Sequence, residues 1–343
     1  MRAFRVWLLL GLLYAGDKVC AQSRIDSIRF FTDTSVLDVT LVANQAKIVN
    51  NKMKAEVIDG RIEFTDGTQP PYNEPIRLSS RGEYRKENCY IPSLKLYFRG
   101  NTPGRLSPLH SLKLVCTCKP ADYYDQLVLK EFIVYKIYNL LTDKSFRVRL
   151  MRLHLVDSLK KKKTLDQFAF LIEDADAMAK RNRCKELKDD QRFKTESTDR
   201  KQMTLVSLFQ YMIGNTDWSV PYNHNIRLIK LKKDTLLRPI AVPYDFDYAG
   251  LVNAMYAVPA PDLGMESVRE RNYRGFPRNM AELDVVFQSF RENKDKIYAI
   301  INECGPLSKQ NKTEMINYLE EFYKMIDDSR QVQDVFIDHA RLQ

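Results

Sequence analysis

Two short stretches in the second half of the chain concentrate side-chain oxygens: Gly214, Asn215, Thr216, Asp217 and Trp218 with His224 and Asn225 close behind, then Pro243, Tyr244, Asp245, Phe246 and Asp247. These residue types suit phosphoryl transfer. There one carboxylate orients the attacking hydroxyl, while an amide oxygen and a second carboxylate hold magnesium against the phosphates. Magnesium takes hard oxygen ligands, which asparagine and aspartate supply. Between the two stretches, residues 226–231 and 236–242 flank Lys232, Lys233, Asp234 and Thr235 and read as a β-hairpin, which would set Asn225 beside Asp245. If their segment is extended, Asp245 and Asp247 face the same way, about 7 Å apart at roughly 3.3 Å per residue. Either aspartate alone could cap a turn beside aromatic core residues. The ordered set is what points to chemistry.

Several elements must position these groups. Phe30, Val36, Val39, Leu41 and Val42 mark early strands, and 76–82, 94–98 and 112–118 continue a strand-rich first part, with a turn over 100–104. Lys113 and Val115 lie on the strand face opposite Leu112 and Leu114. From Tyr124 to Leu141 apolar residues fall nearly all round a helix, so it should be buried on most sides. Glu131 sits inside it. A buried carboxylate needs a partner; Lys113 is one candidate, in the manner of the strand-lysine to helix-glutamate pair of kinases, and exposure beside Lys130 is the alternative. Residues 148–156 and 168–173 read as strands around Lys160 to Lys163. Residues 181–200 read as a charged loop, Thr204–Ile213 as a helix delivering Gly214, 250–275 as irregular, and 280–301 and 311–326 as closing helices.

The chain has 343 residues, 44% hydrophobic, and a formal charge of +10, enough for a large core in one or two domains. Residues 1–21 carry Arg2 and Arg5 before the apolar run Val6 to Ala15, with Val19, Cys20 and Ala21 before Gln22, the pattern of a cleavable signal peptide. This predicts a secreted or periplasmic protein. No later apolar run is long enough to span a bilayer. The basic balance favours acidic partners such as phosphate esters or polyanions, while no nucleic-acid-binding motif is recognisable. An odd number of cysteines remains after Cys20. Spacing does not fix connectivity; one pairing is Cys89 with Cys118 and Cys184 with Cys304, leaving Cys116 on a buried strand. Cys116 and Cys118 lack zinc-knuckle spacing. Residues 267–271 with Arg274 and Gly275 form a basic stretch that either adds cations near the site or is solvated.

Arg81 and Gly82 ahead of strand lysines, Lys113, the Glu131 helix, Phe170 to Glu173, the Asn215/Asp217/Trp218 stretch with His224 and Asn225, and Tyr244 to Asp247 follow one another in the order of the CotH family of spore-coat atypical kinases. The sequence resembles that family over roughly residues 75–255, and HipA-type kinases more distantly. The resemblance implies an α+β, two-lobed atypical kinase-like fold, with a strand-rich N-terminal lobe over 22–122 and a helix-rich C-terminal region over 123–343 holding catalytic segments at 214–250. It implies ATP with Mg²⁺ or Mn²⁺ and a protein substrate or cell-surface component as partner. Asp217 would then be the catalytic base, Asn225 and Asp245 metal ligands, Asp247 a second ligand or orienter, Lys113 the phosphate-pairing lysine and Glu131 its partner. The asparagine ligand is Asn223 or Asn225. No glycine-rich phosphate loop occurs, so Arg81, Arg85 or Lys95 must add charge, and Lys95 competes with Lys113.

Two other classes follow from the same residues. One is an exported pseudokinase or surface-binding module without catalysis. The other is a glycan hydrolase of inverting type, for which carboxylates about 7 Å apart fall in the right range, although adjacent carboxylates on one strand cannot flank a sugar. A serine hydrolase lacks its G-x-S-x-G motif.

Overall fold

The computed structural model describes residues 24–98, 104–188, 190–233 and 238–341. The expected leader, the turn over 100–104 apart from Gly104, and the tip of the 226–243 hairpin lie outside the described residues.

Alternating apolar and polar residues build a five-stranded antiparallel meander: β1 (Leu37–Ala43), β2 (Ile58–Phe64), β3 (Tyr72–Arg81), β4 (Ser93–Tyr97) and β5 (Ser111–Val115). Three short helices decorate it, α1 (Ser27–Thr32), α2 (Gln45–Asn50) and α3 (Glu83–Asn88), and α4 (Asp122–Leu141) follows β5. Then β6 (Val148–Asp157) and β7 (Leu165–Ile172) form a hairpin whose β7 joins β5, while β6 runs parallel to β1 from Leu37↔Met151 to Ala43↔Asp157. The sheet therefore closes, in the order β1-β2-β3-β4-β5-β7-β6. Val39, Leu41, Leu78, Leu96, Leu114 and Leu153 fill its interior.

This corrects the two-lobed kinase-like arrangement expected from the sequence. The strand-rich part is a closed mixed barrel with its own core, and two of its seven strands come from beyond residue 122. The physical cause is the parallel β1–β6 register, which leaves the sheet no free edge.

The outer face of the barrel carries a second apolar set, including Val115, Val148, Leu150, Phe170 and Ile172, against which α4 packs. Ile133, Val134 and Ile137 of α4 are completely buried, each worth about 1.5–3 kcal/mol. Beyond the barrel come α5 (Ala175–Arg181), β8 (Cys184–Glu186), α6 (Arg200–Met212), β9 (Ile226–Leu231), β10 (Ile240–Pro243), α7 (Met280–Glu292), α8 (Lys294–Asn302), α9 (Lys309–Ile326) and α10 (Ser329–Gln333). A small antiparallel sheet orders them as β10-β9-β8, so the charged 181–200 stretch contains a strand. The helix expected over 280–301 breaks at Asn293, where the backbone departs from helical geometry between α7 and α8.

Cys89 and Cys118 form a disulfide, compatible with an extracellular location. The Cys184–Cys304 pairing is not made: both are free, Cys184 fully buried at the start of β8 with its thiol against the Asn182 carbonyl, and Cys304 half-buried beyond α8. Among the described residues no helix is long and apolar enough to cross a membrane.

Candidate functional site

The two motif segments meet because of two glycines. The chain leaves α6 and turns at Gly214 with φ +65°. A Cβ there would lie 1.9 Å from the Tyr318 hydroxyl, and one on Gly250 would lie 2.6 Å from the same oxygen. Only glycine lets both turns close over this side chain. Backbone bonds from Gly250 N to Gly214 O (3.0 Å) and from Leu251 N to Ile213 O (2.9 Å) then tie the turns together. Asn215 is buried; it donates to Gln210 Oε1 at 3.0 Å and accepts the Asp217 amide at 3.0 Å, so it builds the turn. Trp218 and Phe246 belong to the core. Asp217, Asn225, Asp245 and Asp247 remain for chemistry.

Both Asp217 carboxylate oxygens are held. Oδ1 is hydrogen-bonded to His224 Nε2 at 2.7 Å, and Oδ2 accepts from Asn225 Nδ2 at 2.9 Å. The same amide donates to the Asp217 carbonyl at 2.9 Å, leaving the Asn225 side-chain oxygen aimed elsewhere. The bond to Asp217 raises the His224 pKa against the opposing effect of burial. Asn223 instead donates to the Gln191 carbonyl at 3.3 Å, so Asn225 is the asparagine that faces Asp217. The β9–β10 hairpin continues into a bond from Tyr244 N to Asn225 O at 3.0 Å.

Asp245 follows directly in left-handed backbone, φ +65°, with its amide held by the Tyr135 hydroxyl at 2.8 Å. Aspartate is among the few residues that adopt this conformation. β10 ends at Pro243, so Asp245 and Asp247 do not share an extended strand, and the same-face geometry on which the glycan-hydrolase alternative stood is absent.

Asp247 Oδ2 lies 3.3 Å from Arg85 Nη2 and accepts from the Tyr256 hydroxyl at 3.0 Å. Arg85 Nη2 also sits 3.7 Å from Glu131 Oε2, and its Nη1 donates to the Cys116 carbonyl at 2.8 Å. Glu131 is 1% exposed, and among the described residues its Oε1 has no hydrogen-bond partner. Burial, then the charges of Asp247 and Asp245, push the Glu131 pKa well above the ordinary carboxylate range. Burial and Asp245 push Asp247 up to about 6. Burial works against the Arg85 charge, yet Tyr256, Asp247, Glu131 and Asp245 together hold its pKa above the ordinary value. The expected Lys113–Glu131 pair is thus replaced by Arg85–Glu131.

Lys113 faces out of the barrel directly across from Lys95 of β4. Its ammonium lies 4.4 Å over the Tyr244 ring, while Lys95 lies 5.3 Å over Tyr97. Burial, then Arg81 and Arg227, push the Lys113 pKa down to about 7, against the pull of Asp245 and Glu186. Lys113 and Arg227 thus share the Tyr244 ring, Arg227 at 5.5 Å, directly before Asp245 in the chain, and the Arg81 charge also acts on Lys113. Sequence reasoning missed Arg227, Tyr135 and Tyr256. Arg227 is two residues past Asn225 on a strand, and that spacing was its signal.

Among the described residues no three His, Cys, Asp or Glu side chains converge to hold a metal ion. A magnesium ion bound with phosphates needs only one or two carboxylates, the rest being phosphate and water oxygens. Asn225, Asp245 and Asp247 supply oxygens of the type that smaller demand calls for, and the Asp245 and Asp247 charges act on Glu131, whose Oε1 has no hydrogen-bond partner among the described residues. A scan against protein-family models and a search of curated proteins find no match to this chain.

Proposed function

We propose that this protein binds ATP with Mg²⁺ or Mn²⁺ and transfers the terminal phosphoryl group to a protein hydroxyl, the activity that the resemblance to CotH-type kinases implies. The observation that carries the proposal is that Lys113 and Arg227 both lie over the Tyr244 ring, at 4.4 and 5.5 Å, directly before Asp245 in the chain, where burial first, and then the Arg81 and Arg227 charges, lowers the Lys113 pKa to about 7. Cations so placed favour an anion between them, and a bound polyphosphate would restore the full Lys113 charge. Lys95 adds a fourth cation on the same barrel face.

Asn225 and Asp245 would hold the metal ion, with Asp247 as second ligand or orienter; such an ion offsets charge on the phosphates. Asp217 receives the proton of the attacking hydroxyl as its oxygen bonds to phosphorus and the bond to the ADP oxygen breaks. His224 and Asn225 fix the carboxylate for this, one on each oxygen. Tyr135 holds the strained Asp245 backbone.

A second reading is favoured by one contact. Because Arg85 and not Lys113 takes Glu131, Lys113 lacks the glutamate that positions it in kinases, which suits an exported module that binds nucleotide without transfer.

The test is a titration of ATP with Mg²⁺ or Mn²⁺ followed by thermal unfolding, together with transfer of labelled γ-phosphate. At 100 times the dissociation constant, ligand adds about 2.7 kcal/mol of stability. Wild type and Asp217→Ala should both shift, Asp245→Ala should not, and only wild type should transfer phosphate. A wild-type shift without transfer to any protein supports the binding module. No shift with either cation removes the kinase reading and the nucleotide-binding form of the second, and leaves a surface-binding module without nucleotide.

A further inference from the structure

Beside Asp217 the surface opens into a pocket of about 520 Å³. That volume falls within the roughly 300–1,000 Å³ of small-ligand sites, enough for a side chain and its immediate neighbours. Its walls combine Trp218, Tyr222 and Tyr248 with the prolines at 221, 259 and 261. Among the described residues its lining holds no asparagine or glutamine, and Asp217 is the single carboxylate. Besides the hydroxyls of Thr216, Ser219, Tyr222 and Tyr248 the walls are largely apolar and aromatic, and apolar walls with a few polar groups suit the stems of peptide side chains.

Two guanidinium groups, Arg274 and Arg341, line the same pocket. Arg274 donates to the Thr216 carbonyl and lies 5.8 Å over the Trp218 ring, which fixes it at the rim of the Asp217 turn. Among the described residues no carboxylate forms an ion pair with Arg274. Burial and the Arg341 charge lower its pKa, with Asp262 and Asp217 pulling the other way. Arg274 thus presents to the pocket a guanidinium that no described carboxylate pairs, with the Arg341 guanidinium on the same lining, and cationic walls favour an anion. The overall charge of +10 works in the same direction.

We infer that this pocket receives a peptide segment in which an acidic side chain lies within a few residues of the acceptor hydroxyl, Arg274 and Arg341 taking the carboxylate while Asp217 faces the hydroxyl. The inference rests on the phosphoryl-transfer reading for the role of Asp217. Peptide binding can nevertheless be measured without nucleotide, so the two stand or fall separately.

The experiment is fluorescence anisotropy of serine-containing peptides with flanking glutamates, alanines or lysines, titrated with the full chain at low salt. The glutamate peptide should bind at least about tenfold more tightly than the alanine peptide. Arg274→Gln should erase that difference while leaving the ATP-induced thermal shift in place. Arg341→Gln makes the same test should Arg274→Gln fail to fold, since Arg274 also supports the Thr216 turn. Equal affinity for the three peptides, preference for lysine, or an acidic preference untouched by both variants overturns the inference. So does displacement of the glutamate peptide by inorganic phosphate at a similar concentration, which would mark a site for small anions.

Discussion

Replacing Arg85 with methionine tests whether the carboxylate cluster depends on this one cation. Arg85 is 3.3 Å from Asp247 and 3.7 Å from Glu131. At an effective dielectric of about 20 these separations correspond to gross attractions of about 5 kcal/mol for ionised Asp247 and, when Glu131 is ionised, about 4.5 kcal/mol for Glu131. Desolvation of the guanidinium cancels much of that sum, and Glu131 will take up a proton before it stays charged alone. Removing one partner of such a buried pair therefore costs about 3–5 kcal/mol. Urea unfolding of Arg85→Met should show this loss as a lower midpoint with an unchanged slope. Adding Glu131→Gln should recover part of it, because the amide tolerates burial without a cation. Mg²⁺ or Mn²⁺ with ATP should then stabilise Arg85→Met more than wild type. A loss below about 1 kcal/mol, or a double variant no better than the single one, would refute the claim that Arg85 is what makes burial of Glu131 and Asp247 tolerable.

Three further outcomes are expected. Gly214→Ala, which combines positive φ with a clash against the Tyr318 hydroxyl, should lose at least about 2 kcal/mol by thermal unfolding; because that hydroxyl is buried without a hydrogen-bond partner among the described residues, Tyr318→Phe alone should cost little and should rescue part of the loss. Replacing Cys89 and Cys118 by serine opens a loop of sequence separation 29 and should cost about 3–4 kcal/mol in chemical denaturation, whereas serine at Cys304 should leave stability nearly unchanged. His154, bonded to Asp166 at 2.5 Å and facing Asp38 at 3.3 Å, has a raised pKa, chiefly through Asp166. Its contribution is complete below the unfolded value of about 6.5 and fades as pH rises through the folded value. His154→Gln should flatten stability over that window by no more than about 1 kcal/mol for such an exposed cluster, and an unchanged pH profile would count against the assignment.

Periodicity made much of the local structure legible. Apolar residues nearly all round 124–141 announced a buried α4, and Leu112 and Leu114 against Lys113 and Val115 gave the correct faces of β5. Periodicity assigns faces and not partners, so nothing in 37–43 announced a parallel neighbour at 151–157, and the barrel went unread. The hairpin that delivers Asp245 was legible because its strands are adjacent in sequence. Arg85 was named only as a source of phosphate charge. Its pairing with Glu131 was hidden because α3 has six residues and no repeating pattern, and only the folded chain brings it under α4. Asp245 and Asp247 looked like strand neighbours until the left-handed turn at Asp245 separated their directions.

The parallel register of β1 with β6 sets an order of events during synthesis. The meander from β1 to β5 is made first, and α4 is made next, while β6, the partner of β1, does not exist until Asp157, and β7, which joins β6 to β5, does not exist until Ile172. At about 5–20 residues per second, the interval from β1 to the end of β6 is on the order of 10 s. For that time the nascent sheet presents two unpaired rims, one of which only β6 can seal. The last strand hairpin of the barrel is thus also its guard against pairing with other chains, and truncations ending before residue 148 should accumulate as aggregates rather than as a smaller folded unit.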